Sequence, residues 1–168
     1  MIRRTFTCKD KQTIIQLYKS LVRPYLEYCV LAWRPYLTQD IDMLEKVQHR
    51  ATKVVYGFYD LTYEQRLGRF DITTLESHRL REDLIEIFKI VNGFDQVDYL
   101  KLYYLSTTGL RDHNLKLFKP SFKHNVGKYI FSNRIIGSYN LLTQDIIECQ
   151  SLNNFKKKLD RLFKFCLG

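Results

Sequence analysis

At 168 residues, with 45% hydrophobic residues and only seven Gly and three Pro, the chain can bury a core and is too apolar to be disordered as a whole; it reads as one domain, or one and a short appendage. Its 27 basic and 18 acidic residues leave +9, spread as +4 over 1–60, −2 over 61–105 and +7 over 106–168, which suits either a polyanionic partner or a solvated basic surface. No apolar run reaches the roughly 20 residues of a membrane span, the start lacks a signal peptide's apolar stretch, and Cys8, Cys29, Cys149 and Cys166 are too far apart for metal-ligand spacing, so an intracellular chain (nuclear or cytoplasmic) with free thiols and no membrane partner is expected.

The first segment runs from Asp10 to Trp33. Asp10 is suited to cap a helix, and Ile14, Leu17, Tyr18 and Leu21 recur at helical spacing. Pro24 cannot donate to the Ser20 carbonyl, so a break or kink is expected there. Tyr25 to Trp33 is apolar nearly all round and reads as a buried helix that Pro35 ends. The second helix has Thr38 as its cap, Asp40 and Asp42 at its positive end and Gly57 past its last turn. Leu44, Val47, Ala51, Val54 and Val55 make its inner face, and Lys46, Arg50 and Lys53 a stripe away from it.

A short helix is expected to follow, because Thr62-Tyr63-Glu64-Gln65 has the spacing of a capping box. The third long helix starts at a similar pattern, Thr73-Thr74-Leu75-Glu76, and stops at Asn92-Gly93, with Leu80, Leu84, Ile87, Phe88 and Val91 inward. Residues 94–127 are less regular, and Asn114-Leu115-Lys116-Leu117 alternates like a short strand. Helices over 128–141 and 152–166 close the chain. In the last, Leu152, Phe155, Leu159, Leu162 and Phe163 face inward, with Lys157, Arg161 and Lys164 opposite. The fold class is therefore mainly α, a helical bundle-like domain with at most a short strand or hairpin around 110–120. The expected division is 1–93 and a C-terminal extension, 94–168, packed on it.

Catalytic signatures are missing. Two-metal nucleotidyl transfer needs clustered carboxylates, and the only adjacent acids, Glu82-Asp83, point to different sides of a helix and read as surface charge. There is no phosphate-cradling Gly-rich loop, and His49, His78, His113 and His124 lack zinc spacing; His78, beside the inner face of its helix, reads as structural. No catalytic residue, metal ligand or cofactor is expected in this chain. The basic stripes remain. Lys46, Arg50 and Lys53 suit nucleic-acid phosphates, and equally the negative end of their own helix. Lys156-Lys157-Lys158 with Arg161 and Lys164 is a denser patch near a terminus, where a nucleic-acid role is favoured. Neither stripe suggests base reading.

A series of words in order carries a family resemblance. They include Leu17-Tyr18-Lys19-Ser20-Leu21-Val22-Arg23-Pro24-Tyr25-Leu26-Glu27-Tyr28-Cys29, Ala32-Trp33-Arg34-Pro35-Tyr36, Leu44-Glu45-Lys46-Val47-Gln48-His49-Arg50-Ala51-Thr52-Lys53 and Tyr63-Glu64-Gln65-Arg66-Leu67. Arg79-Leu80-Arg81-Glu82-Asp83-Leu84-Ile85, Phe131-Ser132-Asn133-Arg134 and Ser151-Leu152-Asn153-Asn154-Phe155-Lys156 continue it. Over nearly its whole length the chain resembles the region after the palm in reverse transcriptases of non-LTR retrotransposons, of the jockey and CR1 kind.

The resemblance implies that 1–93 is the thumb, which grips the template–primer duplex, and that the rest is the extension behind it. The family's Asp-Asp and its Mg2+ belong to a palm upstream, so no catalytic residue carries over. His49 and His78 stand where the family has Arg, Tyr139 where it has Trp, and Thr143 where it has Pro; His49 weakens the basic cluster slightly at neutral pH. The implied partners are RNA or an RNA–DNA duplex, and the palm or another protein surface. Two other readings stand beside this one: a helical protein–protein interaction module centred on the aromatic segment Tyr25–Tyr36, and a remnant of a decayed element.

Overall fold

The computed structural model describes residues 10–55, 57–98, 103–106, 115–121 and 125–165, without the side chains of 125, 126, 164 and 165. The fold is mainly helical. The α-helices among the described residues are α1 (Lys11–Leu17), α2 (Arg23–Glu27), α3 (Thr38–Lys53), α4 (Tyr63–Phe70), α5 (Leu75–Val91), α6 (Asn125–Tyr129), α7 (Phe131–Arg134), α8 (Ile136–Asn140), α9 (Gln144–Ile147) and α10 (Leu152–Phe165). Among the described residues the only β pairing is one antiparallel bridge between Leu105 and Leu117; of the segment expected to hold a short strand or hairpin, 110–120, residues 110–114 lie outside them. The chain divides into two compact units, one of residues 1–29 and 35–79, the other of 30–34 and 80–168.

In the first unit Asp10 caps α1, its carboxylate accepting from the Thr13 N–H at 2.9 Å. The chain then widens into a π-helical stretch, Tyr18–Val22, where the Arg23 N–H reaches back to the Tyr18 carbonyl. This is how Pro24 is accommodated: the helix widens through a π turn and continues in α2, with Pro24 in its first turn. The expected buried helix over Tyr25–Trp33 does not form. Tyr28 is extended and Cys29 sits at φ +50°, so the helix stops at Glu27. Tyr25 and Tyr28 are 80% and 70% exposed, and Leu21 is 54% exposed despite its helical spacing. The segment is covered only in part: Leu26 packs on the first core and Val30 is buried, while Tyr25, Tyr28 and Trp33 stay exposed.

Thr38 is the first residue of α3 rather than its cap; Leu37 occupies the cap position and makes no side-chain capping bond. The buried face of α3 is also rotated from the expected one. Gln48, Thr52 and Val55 are buried, Ala51 and Val54 pack partly, and Val47 is exposed. The capping box of α4 is as expected: Thr62 Oγ1 accepts from the Gln65 N–H at 3.3 Å, and Gln65 Oε1 accepts from the Thr62 N–H at 3.0 Å. Thr62→Ala removes half of this exchange and is expected to cost about 1 kcal/mol, read as a lower urea midpoint at unchanged m-value. Asp71 closes α4 in the left-handed region at φ +49°. Phe58, Phe70, Leu67 and Ile72 complete this core with Ile14 and Tyr18.

The cap of α5 is Thr74, one residue later than the pattern suggested: its Oγ1 accepts from the Ser77 N–H at 3.2 Å. Gly93, at φ +70°, ends the helix, and the Phe94 N–H returns to the Lys89 carbonyl at 2.9 Å. In the second unit Leu84, Ile87 and Phe88 of α5 meet Phe155 and Leu159 of α10 as expected, with Leu80, Val91, Leu152, Leu162 and Phe163 packed around them. Phe88 and Phe155 stack at 3.9 Å between ring centroids. The single helix expected over 128–141 is instead three short ones, α6 to α8. Asn140 of α8 takes both backbone groups of Leu117, accepting from its N–H at 2.9 Å and donating to its carbonyl at 2.8 Å.

Candidate nucleic-acid interface

The basic row on α3 depends on how the helix is rotated, and buried polar side chains set that rotation. Gln48 lies at the centre. Its Oε1 accepts from the Tyr18 hydroxyl at 2.6 Å, while its Nε2 donates to Tyr63 Oη at 2.9 Å and to the Thr73 carbonyl at 3.0 Å. The Tyr63 hydroxyl donates in turn to Glu45, whose second oxygen accepts the Leu75 N–H at 3.0 Å, at the positive end of α5. Burial pushes the Tyr18 and Tyr63 hydroxyls well above the usual phenol range, so both stay protonated donors.

One turn further on, Arg66 of α4 is buried against α3. Its Nε donates to Thr52 Oγ1 at 3.3 Å, its Nη1 to the Leu61 carbonyl at 2.5 Å, and its Nη2 lies 3.0 Å from His49 Nε2. All three hydrogen-bond partners are neutral acceptors, and the Glu64 carboxylate of the same helix lies within electrostatic reach. With Gln48 and Thr52 held inward, Lys46, Arg50 and Lys53 are all exposed. Seven residues of α-helix rise about 10 Å, so the three cations form one row along the helix.

In the second unit Lys157 and Arg161 are exposed on α10 at i, i+4. The side chain of Lys164, the third residue expected on that face, lies outside the described set. The patch is sparser than its sequence suggested. Lys158 is engaged by Asp145, donating to its carbonyl and its carboxylate at 2.6 Å each, and that carboxylate raises the ammonium's pKa. Lys156 is half-buried, and Asp160 pairs with Arg81 at 2.6 Å in the middle of the row. Among the described side chains the α3 row presents three exposed cations and the α10 face two.

Asp83 does not lie at the surface. Expected at the surface, it is fully buried in the second unit, and Arg134 holds it with two bonds, Nη2 to Oδ1 at 2.8 Å and Nε to Oδ2 at 3.1 Å. Arg34 adds a third at 3.1 Å, and Arg134 also donates to the Val30 carbonyl at 2.9 Å. A signal did exist: Asp83 lies three residues after Leu80 and four before Ile87, on the edge of the apolar stripe. His78, expected to be structural, approaches Glu27 at 3.2 Å.

Among the described residues no group of three or more His, Cys, Asp or Glu side chains is placed to hold a metal ion, and no helix is long and apolar enough to cross a membrane. No protein-family model, curated protein or solved structure matches the chain.

Proposed function

We propose that this chain is a non-catalytic, nucleic-acid-holding part of a non-LTR retrotransposon RNA-directed DNA polymerase, its thumb and post-palm region, which grips RNA or an RNA–DNA duplex by its backbone inside the cell. The observation that carries the reading is the exposed row Lys46, Arg50, Lys53 on a helix whose rotation is fixed from beneath by Gln48 and Arg66. A row of this kind meets phosphates without reading bases, so binding is sequence-tolerant and driven by counterion release. Lys157 and Arg161, with Lys164, offer a second, weaker set of contacts. Mg2+ and the chemistry of nucleotidyl transfer belong, in this reading, to a palm outside the chain.

The test is binding of a labelled RNA–DNA hybrid between about 50 and about 200 mM salt. Affinity is expected to fall linearly on a log–log plot. Replacing Lys46, Arg50 and Lys53 together by Ala is expected to reduce the slope by about 2–3 and weaken binding similarly for unrelated sequences. Failure of the unsubstituted chain to bind at about 50 mM salt removes the reading.

A second reading, a protein-interaction module, is favoured by one specific observation: Leu21, Tyr25 and Tyr28 are strongly exposed in the first unit. It requires concentration-dependent self-association, or association with a palm, that added nucleic acid leaves unchanged; sedimentation separates it from the first.

A further inference from the structure

His49 belongs to the basic face by position, three residues after Lys46 and four before Lys53, yet it is half-buried and turned to a neighbour. Its ring leans on Tyr63, with 4.8 Å between centroids and a tilt of 36°, and its Nε2 lies 3.0 Å from Arg66 Nη2. A guanidinium nitrogen can only donate, so Nε2 at this distance is the unprotonated acceptor. The charged groups around the imidazole are Arg66 and Glu64 from α4 and Lys53 and Glu45 from α3 itself. Burial, then Arg66 and Lys53, outweigh the two carboxylates and hold the imidazole below its ordinary value.

We propose that His49 is a proton-dependent phosphate contact of this face, neutral and engaged with Arg66 in the free chain, protonated and turned to the backbone in the nucleic-acid complex. The inference rests on the nucleic-acid reading. A proton on Nε2 puts a donor where Arg66 needs an acceptor, and the two cations repel. A phosphate lying across Lys46, Arg50 and Lys53 supplies the opposing charge, and the released imidazolium offers it two N–H donors. Binding then takes up a proton. Affinity rises as the pH falls from the pKa of the bound imidazole to the lower pKa of the free one, and the contribution is absent above both.

The test titrates the full chain with an RNA–DNA hybrid at fixed salt from about pH 8 to about pH 5.5, beside His49→Gln. The glutamine amide oxygen keeps an acceptor for Arg66 and does not titrate. NMR follows the His49 imidazole of the unsubstituted chain with and without hybrid, so the answer does not depend on how the variant folds. Binding is expected to tighten at low pH by about tenfold for each unit by which the hybrid raises the His49 pKa. His49→Gln is expected to show a shallower profile, and the imidazole to titrate higher in the complex. Equal pH dependence of the two chains, or an imidazole that titrates alike in both states, overturns the role of His49 and leaves the nucleic-acid reading standing. No binding of hybrid at any pH overturns both.

Discussion

Replacing Asp83 by Ala is expected to cost the second unit about 3–5 kcal/mol, a large share of the stability of a small domain. The carboxylate is fully buried and meets guanidinium donors from Arg134 and Arg34, whose segments are some fifty residues away in each direction. Its removal withdraws a charge that both cations face, while the desolvation they have already undergone remains. Asp83→Asn, which keeps an acceptor oxygen and the shape, is expected to lose less. Replacing all three charged side chains by apolar ones of similar size is expected to lose less again, because no buried charge is then left facing the gap. Urea unfolding followed by circular dichroism orders the three variants. An Asp83→Ala midpoint equal to that of the unsubstituted chain would sink the argument.

Gln48→Leu is expected to destabilise the first unit by about 3 kcal/mol. The leucine is of similar volume and adds apolar surface to a buried position, so a reckoning by hydrophobicity alone predicts a gain. The opposite sign is expected because the amide satisfies the Tyr18 hydroxyl, the Thr73 carbonyl and Tyr63 at once. Leucine strands buried partners, each at about 1–3 kcal/mol. The same change frees α3 to rotate about its axis, so a lower urea midpoint should be accompanied by a shallower salt dependence of hybrid binding. A variant that is destabilised yet binds with an unchanged salt slope would separate the two effects and show that the row does not depend on Gln48.

Part of what is settled within a few residues was legible, although Thr38 lies inside α3 rather than capping it and Thr74 rather than Thr73 caps α5. Asp10 with Thr13 and Thr62 with Gln65 are local exchanges, and each cap forms where its spacing puts it. The inward faces of α5 and α10 are also legible, since Leu84, Phe88, Phe155 and Leu159 repeat at helical spacing and pack in one core. The larger failures came where a side chain's fate is decided far along the chain. Gln48 is inward because Tyr18 and Thr73 meet it, and Asp83 because Arg134 does, and no window of ten residues contains either fact. The segment 25–33 failed the other way: its aromatic content signals burial, yet burial needs a partner surface, and composition cannot say whether one is present. Of the candidate contacts, Lys46, Arg50, Lys53, Lys157 and Arg161 were legible as exposed cations. The engagement of Lys158 by Asp145 was not.

The π turn before Pro24 has a meaning for how this helix tolerates changes of length. Such a turn holds one residue more than the α turn it replaces, so the stretch Tyr18–Val22 amounts to an insertion matched to the proline that follows it. Deleting one exposed residue there, such as Lys19, restores a narrow turn and brings a carbonyl back against the proline ring. Replacing Pro24 alone leaves the surplus residue without its reason. Made together, the two changes give an ordinary helix, with Ile14 and Tyr18 still on the side they now occupy. Insertion and proline are thus a compensating pair, each disruptive to lose singly and together dispensable.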